Sequence, residues 1–439
     1  MGLNFPVPHP ELRNPASKQP LRPVRNPPAR GDLFFANSPN LSSEASAPHI
    51  ALLGNFVPQL CGLATFTADT RKALVAHASK PVVDTYVLHD DEGLAYPEDI
   101  TRLIKRDRRD EYSRTARAIM HSDADLLLVE HEFGIFGGED GCYVLDLIEA
   151  VDIPVVVTLH TVLDTPSRHQ DAVMRRLIAC SDTLIVMAEY GRAVLRRRYG
   201  VADDRIAVIS HGIPDFAYTP PEDAKAQFGL EGRKTVLTFG LLSHDKGIDR
   251  MIEAMPSIVA ADRNIVYIIL GATHPNLVAS EGEALRRRLQ ARAAELGIAD
   301  NIRWVDAFVE MDELVQYLKA ADVYVTPYLN PMQITSGTLS YAVGMGKPVV
   351  STPYIHASEL LVRGNGVLVP FRDSDALARE VGGLLLDDGR RERMARTAYR
   401  RGRKMTWSEH AQALLDRFAM LTGHANATPV EPLVAASAA

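Results

Sequence analysis

Residues Gln333 to Tyr354 read QITSGTLSYAVGMGKPVVSTPY and open on hydroxyls and glycine: Thr335, Ser336, Gly337 and Thr338. An apolar run from Leu339 to Met345 follows, and Gly346-Lys347-Pro348 stops it. A helix that starts on such a loop offers free backbone N–H groups and the positive end of its dipole, and both attract an anion. The pattern predicts a site for a phosphate-bearing ligand; an ordinary capped helix would use the same residues. Lys246, in GLLSHDKG (Gly240–Gly247), follows a predicted strand and can meet a diphosphate as a point charge. His160 ends the apolar run Val155–Leu159, where an imidazole can bond a sugar hydroxyl or a developing charge. His131 lies in EHEFGIFGG, whose Gly134, Gly137 and Gly138 suggest a flexible loop near a ligand or a plain turn. The loop Gly54–Thr70 carries Gly62, which permits close backbone approach, and Thr65 or Thr67 could cap the next helix. It is not G-x-G-x-x-G, which argues against hydride transfer.

These residues need elements to position them. Short β-branched runs alternate with helical patterns. Strands are predicted at His49–Gly54, Val82–Leu88, Leu126–Val129, Val155–Leu159, Leu184–Val186 and Ile206–Ile209 in the first half. In the second half they fall at Val236–Phe239, Val266–Leu270, Ile302–Val305, Val323–Val325, Val349–Val350 and Val367–Val369. Continuous apolar strands separated by helices imply parallel sheets covered on both faces. In such sheets ligands bind beyond the carboxyl ends of the strands. Polar residues and glycine recur there: Gly54-Asn55, Glu130-His131-Glu132, His160-Thr161, Glu189, Ser210-His211-Gly212, Gly240, Gly271, Asp306 and Ser351-Thr352. The expected organisation is a tail at 1–46, a first domain at 47–217, a charged linker at 218–232 with Pro220-Pro221, a second domain at 233–405, a helix at 406–423 packing back, and a tail at 424–439.

A chain of 439 residues fits two domains of about 150–200 residues each. A net charge of −7 argues against nucleic acid as the main partner. Cys61, Cys142 and Cys180 are odd in number and lack metal-ligand spacing, so they read as free thiols in a reducing, cytoplasmic compartment, with no metal site. No apolar run is long enough to span a bilayer. The basic stretch Arg102–Arg117 is either a solvated helix face or a peripheral contact with an anionic membrane on its inner side.

Taken together, PQLCGLATFT, TLHT around His160, DKG around Lys246 and GNGVLVPFRD (Gly364–Asp373) resemble the GT-B glycosyltransferases of the family 4 type, from about His49 to Leu421. The resemblance implies an α/β fold of two doubly wound Rossmann-like domains facing across a cleft. It implies transfer of a hexosyl group from a nucleotide-sugar to a saccharide or lipid-linked acceptor hydroxyl, with retention and without an essential metal or other cofactor. It makes His160, Lys246 and Gln333 catalytic, and places Gly62, Gly240, Lys246, Thr335, Ser336, Gly337, Thr338 and Tyr341 around the nucleotide-sugar. Two positions depart from the family pattern. Leu241 stands where an arginine follows Gly240, and Gln333 and Tyr341 stand where the family has two glutamates, the second of which holds the ribose. Arg363 or another base could replace the arginine. A glycoside phosphorylase on the same fold, with inorganic phosphate on Thr335–Thr338 and Lys246, and a non-catalytic sugar-binding protein are the competing readings.

Overall fold

The computed structural model describes residues 47–90 and 93–423; the tails expected at 1–46 and 424–439 lie outside the described residues. The apolar runs form two all-parallel sheets. The first contains β1 (His49–Gly54), β2 (Val82–His89), β3 (Arg102–Lys105), β4 (Leu126–His131), β5 (Val155–Leu159), β6 (Thr183–Val186) and β7 (Ile206–Val208), in the order β3-β2-β1-β4-β5-β6-β7. Its helices are α1 (Gly62–Ala76), α2 (Arg109–Met120), α3 (Val144–Ile148), α4 (Arg168–Cys180) and α5 (Glu189–Tyr199). The second sheet contains β8 (Lys234–Phe239), β9 (Ile265–Leu270), β10 (Ile302–Val305), β11 (Val323–Thr326), β12 (Val349–Ser351) and β13 (Gly366–Leu368), in the order β10-β9-β8-β11-β12-β13. Around it lie α6 (Glu222–Lys225), α7 (Ile248–Ala261), α8 (Pro275–Glu281), α9 (Ala284–Glu295) and α10 (Met311–Ala320). The chain continues through α11 (Gly337–Gly344), α12 (Ile355–Leu360), α13 (Ser374–Leu386), α14 (Asp388–Gly402) and α15 (Trp407–Thr422).

Both sheets reverse winding direction beside their first strand, between β1 and β4 and between β8 and β11. The crevice at such a switch point is where open α/β sheets take ligands. Alternate residues of β1 feed two separate cores: Ala51 and Leu53 face one, Ile50 and Leu52 the other. The second of these cores is closed by Ala411, Leu414, Leu415 and Phe418 of α15, so the last helix packs on the first domain.

Three features differ from the sequence reading. Arg102–Lys105 is an edge strand, followed by the helix α2, rather than one basic face. Its polar, charged composition suits an edge, where only one side is paired. Three cations of this stretch are held by acids: Arg102 by Glu111 (3.0 Å), Arg106 by Asp90 (2.6 Å) and Arg109 by Asp146 (2.6 Å). The charged segment at 218–232 is no free linker. It folds as α6 and a short turn, and Lys225, 4% exposed, reaches Asp322 Oδ2 at 2.8 Å. The chain instead crosses between the sheets at Ile213 and at Met405–Trp407, which meet in one isolated parallel β-bridge: Ile213 N–H donates to Met405 O (2.8 Å) and Trp407 N–H to Ile213 O (2.9 Å).

Candidate active site

In the first domain the site grows from the ends of β4 and β5. Glu130 is fully buried, and its carboxylate lies 2.8 Å from His160 Nε2 and accepts from Thr158 Oγ1 at 3.4 Å. With Nε2 engaged, His160 Nδ1 is the ring atom left for a ligand. Glu132 anchors the next residue, accepting from Thr161 Oγ1, and also from Phe133 N (2.9 Å). The His160 N–H donates to His131 O at 3.0 Å. His131 itself is buried and stacked on Phe136, and among the described residues neither ring nitrogen has a hydrogen-bond partner. Burial, and then the neighbouring His160, push its pKa down to about 3.

Of the glycines after His131, Gly134 has no atom within 4 Å of a Cβ built there, whereas Gly137 and Gly138 serve close packing. A Cβ on Gly137 would lie 2.1 Å from Arg106 O, and one on Gly141 would lie 2.6 Å from Phe133 O. Helix α1 is capped by Cys61 Sγ, which accepts from Ala64 N at 3.3 Å, not by a threonine. The hydroxyls of Thr65 and Thr67 turn back to the carbonyls of Cys61 and Leu63. Gly62 opens α1 with no neighbouring atom within 4 Å of a Cβ built there.

In the second domain the hydroxyl-rich loop caps α11. Ser336 Oγ accepts from Leu339 N (3.3 Å), and Ser336 O accepts from Ser340 N (3.1 Å). The N–H groups of Gly337 and Thr338 remain as the open donors of this terminus. The Ser336 N–H donates to His356 Nδ1 at 2.8 Å, which requires that nitrogen to be unprotonated. Burial first, and then Arg401, lower His356 to about 4 and so keep it neutral. Lys246 Nζ sits 4.1 Å above the Tyr328 ring and donates to its hydroxyl at 3.0 Å. Tyr328 Oη lies 2.8 Å from Thr338 Oγ1, which is 3.1 Å from Ser336 Oγ. Burial raises the Tyr328 pKa, but the Lys246 charge and these hydrogen bonds outweigh it and leave it lowered. Gly240 has φ +119°, and a Cβ there would stand 3.2 Å from Thr338 Cγ2, so glycine lets β8 end against the start of α11. A chain of hydrogen bonds thus links Lys246 to the loop at Ser336–Thr338.

The two halves meet around Phe66 of α1. Its ring takes edge contacts from His160 (4.7 Å), His211 (4.9 Å), Trp407 (5.3 Å) and His410 (5.5 Å). His211 in turn faces Gly337: a Cβ there would lie 2.8 Å from His211 Nε2. His160 and the α11 terminus are therefore joined through two rings. Tyr341 and Gln333 are turned elsewhere. Tyr341 points inward from the apolar face of α11, stacks on Phe239 and donates to Asp69 Oδ2 of α1 at 3.4 Å. Gln333 Nε2 donates to Thr335 O at 3.0 Å, within its own loop. Arg363 is exposed, and its charge acts on Arg401. Leu241 lines a cavity of about 400 Å³ with Leu60 of the first domain and Ala272, Thr273, Pro275, Val278, Ala279 and Phe308 of the second. Elsewhere, Glu139, Asp140 and His169 bring ligand-type atoms within 4.8 Å of one another, with His169 Nδ1 on Asp140 (3.0 Å). Glu130 and His211 were visible in the sequence only as strand-end polar residues; what marks them, burial against a second element, is a tertiary fact.

Residues 61–215 match the family described as Glycosyltransferase Family 4, and residues 221–401 match Glycosyl transferases group 1. A D-inositol 3-phosphate glycosyltransferase of Xylanimonas cellulosilytica is 30% identical over 295 residues, which cover 62% of this chain and 68% of the relative. The chain belongs to the group 1 glycosyltransferases.

A lipopolysaccharide core biosynthesis mannosyltransferase, LpsB of Rhizobium meliloti, is 29% identical over 231 residues, 49% of this chain and 61% of the relative. The chain spans about two thirds of the length of the first curated relatives it matches, 68% and 66%. Among solved structures, sucrose-phosphate synthase of Thermosynechococcus elongatus superposes with TM-score 0.70 at 18% identity, covering 86% of this chain and 100% of that one. HepE of Anabaena with UDP-glucose gives 0.65 at 16%, covering 85% and 100%. These superpositions show that the glycosyltransferase has the GT-B fold. Among the described residues no helix is long and apolar enough to cross a membrane.

Proposed function

We propose that this glycosyltransferase moves a hexosyl group from a nucleotide-sugar to a saccharide or lipid-linked acceptor hydroxyl, with retention. The observation that carries the reading is the cradle at α11. Open N–H groups of Gly337 and Thr338, the hydroxyls of Ser336 and Thr338 and the Lys246 ammonium gather beside Gly240. A diphosphate placed there gains preorganised donors as its charge grows on departure, the effect that contributes most in transfers of this kind. In this reading the protein residues suffice for that charge, so no metal is needed. The apolar cavity of Leu241, Phe308 and Leu60 opens next to the cradle and fits a flat nucleobase. HepE and a trehalose-6-phosphate protein of E. coli, both of this fold, are described with UDP or UDP-sugars, which makes a uridine nucleotide the first to test. His160, oriented by Glu130, presents Nδ1 to a sugar hydroxyl. The acceptor proton passes to the departing phosphate.

One observation favours the phosphorylase reading: Tyr341 is held by Asp69 and offers the ribose nothing. Calorimetry with UDP-, GDP- and ADP-sugars, the free nucleotides and inorganic phosphate separates the two. Preference for one nucleotide supports the transferase. Binding of phosphate or a sugar-1-phosphate with no nucleotide response overturns it in favour of the phosphorylase.

A further inference from the structure

Leu241 leaves the cradle one cation short of the family pattern, and a base must be sought in space rather than in sequence. His211 is 8% exposed, comes from the loop after β7, and directs Nε2 at Gly337, the first residue of α11. Its Nδ1 lies 2.7 Å from Gly212 O, and a carbonyl only accepts, so Nδ1 carries the hydrogen. Nε2 is therefore the titrating atom, and among the described residues it makes no hydrogen bond. A buried imidazole with an unpartnered nitrogen aimed at a helix terminus whose own N–H groups are open is a second, separate pointer to an anion there.

We propose that His211 is a phosphate ligand contributed by the first domain: when a phosphate group settles on the Gly337 and Thr338 N–H groups, Nε2 takes a proton from solvent and donates to a phosphate oxygen. The proposal rests on the phosphate cradle described above, and adds to it a residue that binds only when both domains are present. In the free protein the group is neutral, because its pKa is lowered to about 3: burial lowers it most, Gly212 O opposes that shift, and His410, His160 and His356 add to the lowering. The other groups packed near it are Tyr341 of α11 with Asp69 of α1, and the Glu130 carboxylate behind His160. None of these is a net anion directed at Nε2. A phosphate supplies that charge, and the same low dielectric that opposes a lone imidazolium strengthens the pair. Charge balances: one proton is taken up for each ligand bound by the protonated form.

The test is calorimetric titration of the full chain with UDP, pyrophosphate and inorganic phosphate, in two buffers of different ionisation enthalpy, from pH 8 to pH 6. His211→Asn is the variant, since its amide can keep the bond to Gly212 O while Nε2 is lost; a thermal melt confirms the fold. The expected result is net proton uptake by the wild type that grows as pH falls, and its disappearance in His211→Asn together with a tenfold or greater weakening at pH 6. Binding with equal proton uptake in both proteins overturns the role of His211 and leaves the cradle standing. Binding of phosphate or pyrophosphate with His211-dependent uptake, but none of UDP, supports the inference and overturns the nucleotide-sugar reading. Failure of the wild type to bind any of the three overturns both.

Discussion

The first domain meets the cleft with side chains, the second with backbone and hydroxyls. At the end of β4 and β5 a buried carboxylate, Glu130, orients His160, and Glu132 ties down Thr161. At the end of β8 and the start of α11 the polar atoms gathered are N–H groups and short hydroxyls, with the Lys246 cation steered by a tyrosine. The contrast follows from what each side would hold. A neutral sugar is read by a few directed hydrogen bonds, which needs side chains locked in place. A diphosphate is read by many converging donors, which a helix terminus provides without reorganisation.

The sharpest way to break this comparison is Lys246→Ala. Loss of the single side-chain cation should lower kcat about 100–1,000-fold, measured by steady-state kinetics once the sugar donor is known. Unchanged turnover would make the second-domain cradle a backbone-only device. Next in size is Gly337→Ala, which places a Cβ 2.8 Å from His211 Nε2. Either the His211 ring or the domains must then shift, at about 1–3 kcal/mol, read by urea denaturation; a neutral result would mean that the His211 ring gives way freely and the two halves are not in firm contact there.

The Asp69–Tyr341 contact gives a pH test of the same seam. Burial raises the Asp69 pKa to about 6, against the smaller lowering effects of Tyr341 and Lys72. A carboxyl raised on folding favours the folded state below its unfolded pKa, and that stability is lost as pH rises through about 6. Asp69→Asn should therefore raise Tm by about 2–4 °C at pH 8 and leave it unchanged at pH 4. His131, His211 and His356 act with the opposite slope. Their pKa values are depressed to about 3, 3 and 4, so the stability they contribute above pH 6.5 is lost as pH falls toward those values. A Tm profile of Asp69→Asn with no change at pH 8 would remove Asp69 from the balance.

The smallest effect expected is at the far edge of the cleft. There Glu359 of α12 accepts from the N–H groups of Glu189 (2.8 Å) and Tyr190 (2.7 Å), and so caps α5 of the other domain. Glu359→Ala should cost about 0.5–1 kcal/mol and increase the radius of gyration in solution scattering. An unchanged radius would show that the hinge pairing of Ile213 with Met405 and Trp407 sets the closure alone.

Periodicity and apolar runs were enough to place twelve of the strands, because a strand buried on both faces must be continuously hydrophobic. The thirteenth, β3, escaped because an edge strand need bury only Ile104 and can be otherwise charged. His160, Lys246 and the Ser336–Thr338 loop were legible from their places at strand ends and a helix start. Tyr341 and Gln333 were legible as substitutions, but not their partners: no local pattern says that Asp69, 272 residues away in sequence, waits for the Tyr341 hydroxyl.

What the sequence by itself determined is therefore the two doubly wound sheets, their carboxyl-end polar residues and the hydroxyl-capped start of α11, since each depends on spacing within one element. Only the tertiary structure decided that Glu130 stands behind His160, that His211 faces Gly337, and that Leu241 and Leu60 line one apolar cavity. Those are contacts between elements far apart in the chain, and burial, which sets the strength and the protonation of every one of them, is a property of the packed molecule.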